Sequence, residues 1–117
     1  MDRWLRATLN SWHGLIAAAR SEAAFRQELA ALLLAVPLAF LVTEEAWKRL
    51  LLIGVVVLVL VVELLNTAIE KLSDRVSPAI EQQIGQVKDM GSAAVGLSLL
   101  IAGFAWLMGL AELLGWI

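Results

Sequence analysis

Thirteen consecutive apolar residues, Leu50 to Val62, lead into Glu63 with no polar side chain between them. The run is rich in Val, which favours strands, yet a lone strand in lipid has no partner for its backbone. A helix satisfies every N–H and C=O within the segment, so a membrane-inserted helix is the reading that survives. Composition supports lipid as the solvent: the 117 residues are 61% hydrophobic and only 17% charged, with a mean hydropathy of +0.82, outside the range of an ordinary soluble domain. A net charge of -2 argues against nucleic acid as a partner, and the absence of Cys excludes disulfides and thiolate metal sites.

Glu63 opens a second pattern. Glu63, Asn66, Glu70 and Asp74 recur at offsets that put all four on one face of a helix continuing past the apolar run to about Arg75. An ionised carboxylate at the membrane border is costly without a partner, which makes Glu63 a functional candidate.

The rest of the chain is organised as helices around this one, in a single domain, 1–117. From residue 3 to 20, Trp4, Leu5, Leu9, Trp12, Leu15 and Ile16 recur at helical spacing, opposite Arg3, Arg6, Asn10 and His13. The pattern predicts an amphipathic helix lying in the headgroup region; packing against another helix is the alternative. Ser21 is a candidate cap for the next helix, with Glu22 in its first turn. Residues 23–42 give a first span of about 30 Å, with Pro37 expected to kink it. Residues 43–49 make a short polar turn beside Trp47, and 46–65 a second span. Ser77-Pro78 is expected to break the helix, leaving 79–87 as a polar linker or short surface helix before a third span at 93–111.

Small residues four apart, such as Ala31, Ala35 and Ala39, suit close helix packing. Seven basic residues flank the first span's entry and the connection between the second and third spans, against two, Lys48 and Arg49, in the first turn. This bias places the N-terminus in the cytoplasm and the C-terminus outside.

Glu22, Glu28, Glu63, Asn66, Glu70, Asp74 and Asp89 then gather at the cytoplasmic interface. Hard oxygen donors favour Mg²⁺ or Ca²⁺, and a carboxylate at that depth could act as a general base on an alcohol. Intramembrane carboxylates also mark proton relays and ion pathways. The residue types alone leave metal-assisted catalysis and a small proton- or cation-coupled transporter subunit both open. None of the usual nucleotide-binding signatures is present.

Three segments carry a family resemblance: E-A-A-F-R-Q-E from Glu22 to Glu28, E-L-L-N-T-A-I-E from Glu63 to Glu70 with Asp74-Arg75, and K-D-M-G-S-A-A from Lys88 to Ala94. Together with their spacing and the number of spans, they resemble the small bacterial integral-membrane diacylglycerol kinases over nearly the whole chain. The resemblance implies an all-α membrane protein of the bacterial inner membrane, a homotrimer with sites between subunits, transferring the γ-phosphoryl of MgATP to diacylglycerol to give phosphatidic acid. A related branch acts on undecaprenol; the first and third segments resemble the diacylglycerol branch more closely.

Carried over by resemblance, Glu63 is the general base, and Glu22 and Glu70 are Mg²⁺ ligands and nucleotide contacts. Arg3, Asn10, Lys88 and Asp89 are further nucleotide contacts. Arg3, Ser11, Trp12, Ala24, Phe25, Arg26, Gln27, Glu28 and Ser92 line the lipid site together with Glu63, while Asn66 and Asp74 support the acidic face. Asn10 departs from the aromatic residue that precedes Ser-Trp in familiar members.

Overall fold

The computed structural model describes residues 2–76 and 82–117. Four helices follow in order: α1 (Arg3–Ser21), α2 (Ala23–Val42), α3 (Ala46–Val76) and α4 (Gln82–Leu113). Among the described residues there is no strand. Helices α2, α3 and α4 are each long and apolar enough to cross a membrane, and the chain is a multi-pass membrane protein.

Helix α1 starts where Asp2 accepts a hydrogen bond from the Leu5 amide at 3.0 Å. It runs to Ser21, so Ser21 is its last residue and does not cap α2. The N-cap position of α2 falls on Glu22, whose side chain makes no capping bond. Ser21 Oγ instead accepts from Lys71 Nζ of α3 at 3.0 Å. A single extended residue, Glu22, therefore separates α1 from α2. The junction is tied from the other side by Arg26, whose Nη1 donates to the carbonyls of Ala19 at 2.8 Å and Arg20 at 3.2 Å. Those carbonyls lie in the last turn of α1, where no intrahelical donor is left for them.

Helix α2 continues unbroken through Pro37 to Val42. The turn after it is closed locally: Thr43 Oγ1 accepts from the Glu45 amide, and Arg49 Nε donates to the Thr43 carbonyl at 2.9 Å while its guanidinium lies 4.3 Å from the Phe40 ring centroid. At the same end Lys48 Nζ reaches both carboxylate oxygens of Glu112 on α4, at 2.7 and 2.9 Å.

Helix α3 is the central element, packing on α4 along one side and on α2 along another, while α2 and α4 barely meet. One cluster, Ala39, Val42 and Leu52 with Ile53, Ala105 and Trp106, joins the three helices near the Lys48 end. Trp106 Nε1 donates to the Leu52 carbonyl there at 3.1 Å, and Gly109 approaches so closely that a Cβ would sit 3.1 Å from Val42 Cγ1. A second cluster, Ala18, Phe25 and Leu60, joins α1, α2 and α3 at the other end. Most of α4 is exposed within one chain, with only Gly91 and Ser98 buried.

The fourth helix departs from the sequence expectation. Gln82 to Val87, the described part of the 79–87 stretch read as linker or short surface helix, is the first part of one 32-residue helix. Gly85 lowers intrinsic helix propensity by only about 1 kcal/mol relative to Ala, and its neighbours Gln, Ile and Val tolerate a helix. The Ser77-Pro78 break lies outside the described residues. At 1.5 Å per residue α3 and α4 are each roughly 46 to 48 Å long, well beyond the hydrocarbon thickness, so both carry a stretch outside it.

Ala39 is wholly buried where these helices meet, so Ala39→Leu should overpack the site and cost about 1–3 kcal/mol. Unfolding in mixed micelles titrated with a denaturing detergent measures this, and an unchanged midpoint would show that the contact is slack.

Candidate functional site

The acidic face of α3 is built where the helix leaves its apolar run. Glu63, Asn66 and Thr67 are buried there, with Glu63 only 7% exposed. A 3.6-residue period puts Glu63, Asn66 and Glu70 on successive turns of one face, and the Asn66 Nδ2 donates to Glu70 Oε1 at 3.1 Å. Helix α2 brings carboxylates from a second direction. Glu63 lies within electrostatic reach of Glu22 and Glu70, and Glu28 within reach of Glu63. Four carboxylates and one amide, from α3, α2 and the Glu22 junction, thus share one region.

Two of these groups are under-satisfied. Glu28 Oε2 and Asn66 Oδ1 are buried and have no hydrogen-bond donor among the described residues. Buried acceptors without donors are rare, because each forgoes the bonds it made in water. Excess acceptor oxygen and excess negative charge are features that a cation, or a ligand bearing donors, would relieve. The donor set is all oxygen and suits Mg²⁺. Among the described residues no three or more His, Cys, Asp or Glu form a ready-made metal cage. A site with one or two carboxylates, whose remaining positions go to phosphate oxygens and water, is the usual form for Mg²⁺ bound with a nucleotide.

The other residues singled out in the sequence are placed more variously. Lys88 pairs with Asp74 across the facing stretches of α4 and α3, in an exposed ion pair. Asp89 and Ser92 are exposed on α4, as are Ala24 and Gln27 on α2. Arg26 is engaged with the end of α1, and Phe25, 1% exposed, packs on Ala18 and Leu60. On α1, Arg3 lies 5.9 Å from the Trp4 ring centroid, Ser11 Oγ donates to the Ala7 carbonyl, and Asn10 and Trp12 are exposed. Within one chain, Arg3 and Asn10 make no hydrogen bond to the acidic cluster among the described residues.

Two features escaped the sequence reading. A groove of about 450 Å³ separates α1 from α3, lined by Ser11, Leu15 and Ala18 on one side and Leu64, Thr67 and Lys71 on the other. Thr67 and Lys71, four apart and one position after Asn66 and Glu70, could have been found as a second face of the same helix turns. The other feature is Gly91, where a Cβ would collide with Asn66 Oδ1. Its place in K-D-M-G-S-A-A marks it only as a glycine; the clash depends on which turn of α3 faces it.

Comparison with known proteins adds an independent finding. A family model described as prokaryotic diacylglycerol kinase matches residues 9–110. The chain is 47% identical over 104 residues to the diacylglycerol kinase of Escherichia coli strain K12, covering 89% of this chain and 85% of that protein. It is 43% identical over 106 residues to that of Pseudomonas aeruginosa, with 91% and 86% covered. For the Haemophilus influenzae protein of the same name the identity is 37% over 102 residues, with 87% and 86% covered.

The burial of Phe25 separates packing from ligand contact. Phe25→Ala should destabilise the fold by about 3–5 kcal/mol while the folded fraction keeps its apparent affinity for lipid. Melting and lipid-dependent rates measured on the same preparation decide it: intact stability with a raised lipid KM would make Phe25 a substrate contact.

Proposed function

The chain belongs to the prokaryotic diacylglycerol kinase family, and we propose that its acidic cluster transfers the γ-phosphoryl group of ATP to the free hydroxyl of diacylglycerol, giving phosphatidic acid and ADP. The observation that carries this reading is Glu63, a carboxylate buried at the end of the apolar run of α3 and within electrostatic reach of Glu22, Glu28 and Glu70. A lipid hydroxyl reaches that depth from the bilayer, and a water-soluble nucleotide reaches it from the cytoplasm. Glu63 accepts the hydroxyl proton as the oxygen attacks the γ-phosphorus and the bond to the β-phosphate oxygen breaks.

Glu22 and Glu70 would hold Mg²⁺, which when bound offsets the charge of the phosphates. Asn66 keeps the Glu70 carboxylate in place through its amide. Lys88, in an exposed pair with Asp74, gives up a weak surface contact to meet a phosphate. Arg3, Asn10 and Asp89 serve the nucleotide, and Ser11, Trp12, Ala24, Gln27, Glu28 and Ser92 serve the lipid, while Phe25 and Arg26 hold that stretch in place from the core and from the end of α1. Helix α1 lies in the headgroup layer with its Trp and Leu side chains towards the acyl chains, and the N-terminus is cytoplasmic, in the bacterial inner membrane.

The active form is a homotrimer. Support comes from the exposed apolar flank of α4 and from Arg3 and Asn10, which among the described residues make no hydrogen bond to the acidic cluster of their own chain. The transporter alternative has no support in the relatives named above, all of which are diacylglycerol kinases. The related undecaprenol kinase activity is separated from the proposed one by offering both alcohols with labelled ATP.

Glu63→Gln keeps shape but cannot take the proton. It should abolish most turnover while leaving Mg-nucleotide affinity nearly unchanged, whereas Glu22→Gln and Glu70→Gln should weaken that affinity as well. Rates, nucleotide titrations and melting curves on the three purified variants check this; a Glu63→Gln protein that folds, binds and phosphorylates lipid at the wild-type rate removes Glu63 as the base. Native mass measurement in detergent should give three copies, and full activity in a monomer would refute the trimer.

A further inference from the structure

The meeting of α3 and α4 at Asn66 and Gly91 is tighter than helix packing alone requires. Asn66 is 8% exposed, and its two polar atoms point to different places: Nδ2 donates to Glu70 Oε1, while Oδ1 faces Gly91 of α4 and accepts from no donor among the described residues. The reverse orientation would set the amide oxygen against a carboxylate oxygen, two acceptors in contact. The observed one leaves Oδ1 directed at the position where any other residue at 91 would carry its Cβ. That Cβ would fall well inside the contact distance of Oδ1, so the Asn66 amide would have to turn away from its present orientation.

We propose that Gly91 is a positioning residue, its missing Cβ leaving the space in which the Asn66 amide turns its donor onto Glu70. The chain of contact runs from the α4 backbone through Asn66 to a carboxylate that the proposed function uses for Mg-nucleotide, and the inference rests on that reading for its consequence. Burying an unpaired acceptor is unfavourable, and a bundle selected for stability alone would place an apolar side chain at 66. The arrangement gives up that stability to hold one carboxylate in one direction.

The test is a double-mutant cycle on the full-length protein in micelles, reading the affinity for a non-hydrolysable ATP analogue with Mg²⁺, together with KM for MgATP and kcat. Gly91→Ala should displace the amide and weaken nucleotide affinity on the order of tenfold to a hundredfold, with melting lowered only slightly. Asn66→Ala should show a similar loss. In the double variant Gly91→Ala/Asn66→Ala no amide remains to be displaced, and the affinity should equal that of Asn66→Ala within about twofold. Should Gly91→Ala alone fail to fold, the comparison of the double variant with Asn66→Ala still decides, because neither contains the clash.

The proposal is overturned if Gly91→Ala binds nucleotide like the wild type, or if adding it to Asn66→Ala causes a further loss of the same size. A wild-type protein that binds Mg-nucleotide but makes no phosphatidic acid overturns the proposed reaction, and the affinities still judge Gly91. One that binds no nucleotide overturns both.

Discussion

Helices α3 and α4 are longer than the bilayer's hydrocarbon is thick, and the site depends on that excess. A helix of about 30 Å suffices to cross, and both elements exceed it by ten residues or more. Their surplus turns stand side by side outside the apolar run, carrying Asn66, Glu70 and Asp74 on one and Lys88 and Gly91 on the other. Glu63 sits where the two regimes meet, a carboxylate buried at the end of the apolar run. Were α3 to end with its apolar run, the polar face would have no scaffold.

The two ends of the bundle are built from different interactions. At the Lys48 end an ion pair to Glu112, the Trp106 bond to the Leu52 carbonyl and a dry cluster around Ala39 hold three helices together. At the other end the groups nearest the acidic face are under-bonded, with acceptor oxygens on Glu28 and Asn66 left without a donor among the described residues. Satisfaction of polar groups is the rule for a structural contact and its absence is the mark of a surface awaiting something else. The contrast within one small chain supports reading the acidic end as the working end.

Much of this was legible in the sequence, for identifiable reasons. Uninterrupted apolar runs marked the spans because lipid permits few alternatives, and α2 ends where its apolar run does and begins at Ala23, where the span was expected to start. The single face shared by Glu63, Asn66 and Glu70 followed from helical period alone. What could not be read were matters of direction between helices. Phe25 and Arg26 stand inside a motif shared with kinases, yet one fills a core and the other closes the end of α1, because neighbours on a helix point different ways. Ser21 looked like a cap since the break was expected one residue earlier than it falls. The start of α4 was misjudged because Pro78 and Gly85 both read as breakers, while Gly85 is carried within the helix. The contact of Gly91 with Asn66 depends on the rotation of one helix against another, which no local pattern encodes.

The one-residue connection at Glu22 makes the chain's geometry a form of mechanical coupling. Arg26 clamps the last carbonyls of α1 to the first turn of α2, so the two helices behave as a bent lever with Glu22 at the elbow. One arm is α1 and the other α2, a helix long and apolar enough to span a membrane. A carboxylate at the elbow moves with the angle between the arms. The place of one carboxylate of the acidic cluster is thereby fixed by the angle at which two helices meet rather than by any neighbour on its own helix.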